Sequence, residues 1–272
     1  MKKITLVITA IFFLNALKAQ MDLPPSGGNP RATITEEVGI TSITLKYSRP
    51  DVNKREGKIY GEGNRVPYGF KEQNFVSGKS DAPWRAGANE ATTISFEHDV
   101  KIEGKEIKAG TYALFMAMGA DNITLIFSNQ NEAWGSFSYK PEDDVLRVDV
   151  KPVTLDKSVE WLKYEFIEHG EKHCVVAMQL EKISVPFKIA VDVDNIVIAS
   201  LRREMTGRKS FTPALELQAA QYCLNKNINL EEALRWSKNA VDGPAGQRTY
   251  ITLRNLAVAY EKLNRIPEAD SI

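Results

Sequence analysis

The chain has 272 residues, 43% of them hydrophobic and 26% charged, enough apolar material for one large core or two ordinary ones. Its 35 lysines and arginines balance 35 aspartates and glutamates, so it lacks the basic stripe that phosphate backbones demand, which excludes nucleic acid as a partner. No Walker loop, Rossmann glycine fingerprint, Gly-x-Ser-x-Gly elbow, His-Glu-x-x-His or Cys-x-x-Cys occurs, so no common catalytic class is signalled.

Lys2 and Lys3 precede an apolar run over residues 4–17, diluted only by Thr5, Thr9 and Asn15 and followed by Lys18, Ala19 and Gln20. A bilayer span needs about 20 apolar residues, so the run fits an export signal cleaved near Ala19. An uncleaved N-terminal anchor is the alternative. Cleavage removes Lys2, Lys3 and Lys18 and no acid, leaving 32 basic against 35 acidic groups. With no further apolar segment of spanning length, the mature chain is expected in the periplasm or outside the cell. Cys174 and Cys223 both fall on apolar faces and are expected as buried free thiols, with a disulfide as the alternative in an oxidising compartment.

From residue 33 to residue 189 the hydrophobic period is two. Ile43, Leu45 and Tyr47 alternate with Thr44 and Lys46, and residues 92–96 form a β-branched run. Val100 and Ile102 lead through Glu103-Gly104 to Ile107, which is a hairpin signal. Further rows follow at residues 111–116 and 123–127, at Leu146, Val148 and Val150, and at Leu162, Tyr164 and Phe166. Two last strands are read at residues 174–180 and 183–189. The pattern predicts an antiparallel β-sandwich or barrel over residues 20–190, with no parallel crossover units. Residues 60–83, punctuated by Gly61, Gly63, Pro67, Gly69 and Gly78, show no clean period and read as a long loop, functional or partly disordered.

Near Asp192 the period turns helical, so the class is α+β with a small C-terminal helical hairpin bundle over residues 191–272. Asp192 or Asp194 is expected to cap a helix carrying Ile198, Leu201 and Met205. Thr212-Pro213 restarts the chain, and Asn229 with Glu232 reads as a capping box. Leu253, Leu256, Ala257, Tyr260, Asn264, Ile266 and Ala269 fall at tetratricopeptide spacing, and an unrelated amphipathic hairpin meets the same pattern. Such a tail offers a docking surface for a protein partner.

Metal signals are weak. His169 and His173 flank Gly170, a turn rather than one helix face, and Asp192-Val193-Asp194-Asn195 lacks the glycine and distal glutamate of a calcium loop. No cofactor or metal is expected. The unusual density lies elsewhere: Tyr47-Ser48-Arg49-Pro50 with Arg55, then residues 84–93, then Ala109-Gly110-Thr111-Tyr112. Arg49, Arg55 and Arg85 suit a carboxylate, phosphate or sulfate; Trp84 suits a sugar or other planar face; Asn89 and Glu90 suit hydroxyls or a proton. Tyr112 completes the candidate set. In a purely structural arrangement, Arg85 instead pairs with Glu90, Asn89 caps a turn and Trp84 fills the core.

At these residues the chain resembles a bacterial family of exported proteins, domain-of-unknown-function family 2911. The matching pieces are residues 47–50, Arg55, Tyr60-Gly61, Val66-Pro67-Tyr68-Gly69, residues 84–92, Gly104-Lys105, residues 109–112, Trp134-Gly135, Tyr139 and Asp144-Val145-Leu146-Arg147. The resemblance runs from about residue 24 to residue 187 and implies a β-rich exported fold without an assigned activity. In the family pattern the Pro-Tyr-Gly piece leads almost directly to the Trp-Arg piece, so residues 70–83 are an insertion here, placed to reshape or cover a pocket at Trp84. The expected function is a non-enzymatic module of the cell envelope that binds a small anionic or sugar-like ligand or a partner. The alternatives are an envelope hydrolase using Glu90 with the arginines, or a structural component.

Overall fold

The computed structural model describes residues 28–73, 80–207 and 213–272; the segment read as an export signal and Thr212 lie outside them. In chain order the strands are β1 (Arg31–Val38), β2 (Thr41–Ser48), β3 (Lys71–Gln73), β4 (Ser80–Ala82), β5 (Thr93–Phe96) and β6 (Val100–Ile102). Then come β7 (Lys105–Ile107), β8 (Gly110–Ala117), β9 (Ile123–Ser128), β10 (Asp144–Val150), β11 (Val153–His169) and β12 (His173–Val191). The helices are α1 (Val193–Met205), α2 (Pro213–Lys226), α3 (Leu230–Asp242), α4 (Tyr250–Lys262) and α5 (Ile266–Asp270).

Two open antiparallel sheets face each other, one ordered β1-β2-β5-β8-β9-β10 and the other β11-β12-β6-β7. Neither closes on itself, so the domain is a sandwich and not a barrel. Alternation explains the layering. On β2, Ile43, Leu45 and Tyr47 are buried while Lys46 is exposed, and the same parity on β5, β9 and β10 builds one wall of the core. Phe127 and Phe187 meet edge to face across the layers, their ring centroids 6.5 Å apart. Glu103 and Gly104, at φ 47° and 83°, make the expected two-residue turn of the β6–β7 hairpin.

The two strands expected at residues 174–180 and 183–189 are one. Even-numbered residues from Cys174 to Leu180 face the core, then odd-numbered ones from Val185 to Val191, and Glu181 absorbs the change at φ 53°. A bulge in a continuous strand, rather than a turn between two strands, shifts the parity. Residues 60–83 likewise are not pure loop, because β3 and β4 pair within them. This segment lies on the outer face of the larger sheet. Phe70 packs on Tyr139, and Ala82 joins Ala113, Phe115, Ala117 and Ile126 in a second small core. β8 is therefore buried on both faces.

The helices pack in succession around Ile198, Ala219, Ala220, Cys223, Leu234, Trp236, Leu256 and Ala259. α1 joins both cores, with Val193 in the sandwich and Ile198 in the bundle. Helix boundaries agree with the periodicity, but two caps do not form. Asp192 makes no side-chain bond to the α1 backbone, and Asn229 sits in the left-handed region with no capping bond. Glu232 is turned toward Arg202 and Arg235 instead, at 2.5 and 2.8 Å. Thr249 does cap α4, reciprocally with Thr252. Both cysteines are free and buried, and burial pushes the Cys174 thiol up to about 12, so it stays protonated.

Asp194 ties the two parts together. It accepts from Lys172 of the β11–β12 turn and, at 2.7 Å, from the Tyr222 hydroxyl of α2, and hydrogen bonds from Lys172 and Tyr222 hold its carboxyl below the ordinary 3.8. A depressed folded pKa gives stability that is complete above the unfolded value and vanishes as pH falls through the folded one. Asp194→Asn is therefore expected to melt at a lower temperature than the parent at about pH 7 and at the same temperature at about pH 2. Scanning calorimetry at the two pH values checks this.

Candidate functional site

Three connecting segments meet beside β12 around an open cleft of about 470 Å³. Arg55, Arg65, Trp84, Arg85 and Asn89 stand around it, and Ile59, Val66 and Leu180, all nearly inaccessible, back it from within the core. Arg55 is anchored by its own turn: Nε donates to the Val52 carbonyl at 2.9 Å and Nη2 to the Asp51 carbonyl at 2.8 Å, with the Asp51 carboxylate 3.3 Å away. Arg65 is exposed. Arg85 donates through Nη1 to the Asn89 carbonyl at 2.9 Å, and its guanidinium lies 5.1 Å from the Phe137 ring centroid. Neither Arg65 nor Arg85 meets a carboxylate among the described residues, and burial alone lowers the Arg85 pKa from its ordinary value. The Asn89 side chain accepts from Asn29 at 3.3 Å through Oδ1, while its buried Nδ2 has no partner among the described residues.

The loops that carry these groups are held in costly shapes. Asn53, Lys54, Ala86 and Asn89 all have left-handed φ, between 49° and 59°. For the alanine this costs about 1–2 kcal/mol. The Ala86 carbonyl is clamped in compensation by the Tyr164 hydroxyl at 2.8 Å and the Thr92 hydroxyl at 3.1 Å, both buried. Such strain persists only where the surroundings impose it, and here it fixes Arg85 and Asn89 relative to each other.

Gly135 grips Arg85 from the side of the Phe137 loop. Its φ is 68°, and a β-carbon there falls 2.6 Å from the guanidinium carbon. This accounts for the Trp134-Gly135 motif: the glycine leaves room for the cation. Gly135→Ala is expected to displace Arg85 and to cost about 1–3 kcal/mol of stability, from a left-handed non-glycine residue plus the collision. Chemical denaturation of the variant measures the cost; an unchanged midpoint contradicts the packing.

Four of the seven residues singled out in the sequence thus share the cleft: Arg55, Trp84, Arg85 and Asn89. The other three do not. The Arg49 Nε donates to the Leu162 carbonyl at 2.9 Å, pinning the end of β2 to β11. Glu90 binds Arg31 and, at 3.2 Å, the Ser48 hydroxyl, and it lines a separate concavity of about 440 Å³ with Lys46 and Glu132. The anticipated structural pairing of Arg85 with Glu90 is therefore not made. Tyr112 is a core residue whose ring contacts Phe96 and whose hydroxyl donates to the Lys108 carbonyl at 3.0 Å. Arg65 and Asn29 were not singled out; Arg65 directly precedes the Val-Pro-Tyr-Gly piece, which was the available signal. No described residue of the 70–83 insertion lines the cleft; Phe70 and Ala82 pack on the outer face of the larger sheet instead.

His169 and His173 pair with separate carboxylates, Glu36 at 2.6 Å and Glu168 at 2.9 Å. Among the described residues no helix is long and apolar enough to cross a membrane.

No curated protein and no solved structure matches this chain. A family model does, over a span that begins at Asn29 on the cleft rim, includes every cleft residue and stops in β12 before the helices. By that match to residues 29–189, the chain belongs to the family described as Protein of unknown function (DUF2911).

Proposed function

We propose that the sandwich is a non-enzymatic binding module for a small oxyanion, exported to the periplasm or beyond, with the helical end serving as its attachment to a protein partner. The observation that carries the binding reading is that two of the cleft's cations, Arg65 and Arg85, meet no carboxylate among the described residues. A part-buried cation without a counter-ion, as at Arg85, carries a desolvation cost that an anionic guest offsets. Three guanidiniums face the cleft against the single Asp51 carboxylate, and strained, clamped loops hold them in place before any ligand arrives.

Calorimetric titration of the chain lacking residues 1–19 with phosphate, sulfate and acetate, in low salt, tests the proposal. One-to-one binding that weakens with added sodium chloride is expected. Absence of heat and of thermal stabilisation with every oxyanion rejects it. Periplasmic or medium fractionation of the full chain tests the export reading, and retention in the cytoplasm rejects that part.

A further inference from the structure

We infer that the guest is a cyclic organic oxyanion, a monosaccharide carrying a carboxylate or a phosphate, rather than an inorganic ion. The inference rests on the oxyanion reading above and deepens it. The cleft is two-faced: guanidiniums and an amide stand around it beside the part-exposed Pro50, while Ile59, Val66 and Leu180, 3%, 4% and 2% exposed, back it from within the core. The half-buried Trp84 adds an indole, packed against the sandwich core on one side and bordering the cleft.

An inorganic oxyanion at the arginines leaves the Trp84 and Pro50 surface wet. The cleft volume, about 470 Å³, falls within the range of about 300–1,000 Å³ typical of organic-ligand sites. A pyranose meets both requirements: its C–H face covers indole and aliphatic surface, while its acidic group reaches the arginines. Its ring hydroxyls donate to the Asp51 carboxylate or the Asn29 side chain.

Titration with glucuronate, glucose 6-phosphate, neutral glucose and inorganic phosphate at constant ionic strength separates the terms. Glucuronate or glucose 6-phosphate is expected to bind at least about tenfold more tightly than both inorganic phosphate and glucose, because only it uses charge and surface together. Which of the two binds more tightly identifies the acidic group. Trp84→Ala is expected to erase that tenfold margin, with Trp84→Phe keeping part of it. Should the Trp84 variants unfold, the ranking in the parent protein decides alone. Equal affinity for phosphate and both sugar anions overturns this inference yet leaves the oxyanion site standing. Glucose binding as tightly as glucuronate overturns it too. Failure of every anion to bind removes the underlying reading instead.

Discussion

Arg85→Ala is expected to weaken oxyanion binding about 30- to 140-fold, because a charge-assisted contact contributes about 2–3 kcal/mol. The guanidinium is gripped between Gly135 and the Phe137 ring and fixed by the Asn89 carbonyl, so it does not reorganise on binding. Arg85→Lys keeps the charge but loses the planar fork and the stacking on Phe137, so an intermediate loss is expected. Thermal melting of the unliganded variants separates this from unfolding. Because Arg85 also ties the loop to Phe137, its removal carries a risk to the fold that Arg65→Ala, at an exposed rim position, does not. A folded Arg85→Ala with parental affinity, or Arg65→Ala and Asn89→Ala both without effect, ends the oxyanion proposal.

The sandwich was legible in the sequence because burial on one face of a strand writes a period of two directly into the residues. What was not legible came from interactions that period does not encode. The β12 bulge looked like a strand break, since a parity shift at Leu180, Glu181 and Lys182 reads the same either way until the partner strand is known. The α3 capping box failed because a distant cation, Arg202, competes for Glu232. β3 and β4 are three residues each, too short to show a period.

The candidate site was legible by half for a related reason. Asn89 and Glu90 are consecutive, yet the chain turns between them, so Asn89 lines the cleft and Glu90 the other concavity. Density of polar residues along a sequence does not say which side of the chain each occupies. Arg49 and Tyr112 looked like ligand groups because their residue types suit ligands, and their bonds to main-chain carbonyls were invisible from sequence. The convergence of Arg55, Trp84, Arg85 and Asn89 follows from bridges that hold their segments on the sheets, Asp51 to Trp161 of β11 and Trp84 to Met116 of β8.

The largest stability effect is expected at the contact between the sheets. Phe187→Ala should cost about 3–5 kcal/mol, as truncation of a buried aromatic usually does. Phe187 is 1% exposed and Phe127 is fully buried, and each is the other's partner across the two layers, so the cavity cannot close without moving a sheet. Position along β12 matters as well. Phe187 lies beyond the Glu181 bulge, so it faces inward only if the parity shift is present; without it the ring points to solvent and its loss costs little. Trp134→Ala is the matched control: another large aromatic, but 50% exposed, where a change within about 0.5 kcal/mol is expected. Urea denaturation of both variants measures the difference. A Phe187→Ala loss below about 1 kcal/mol contradicts the bulged register of β12 and the face-to-face packing built on it.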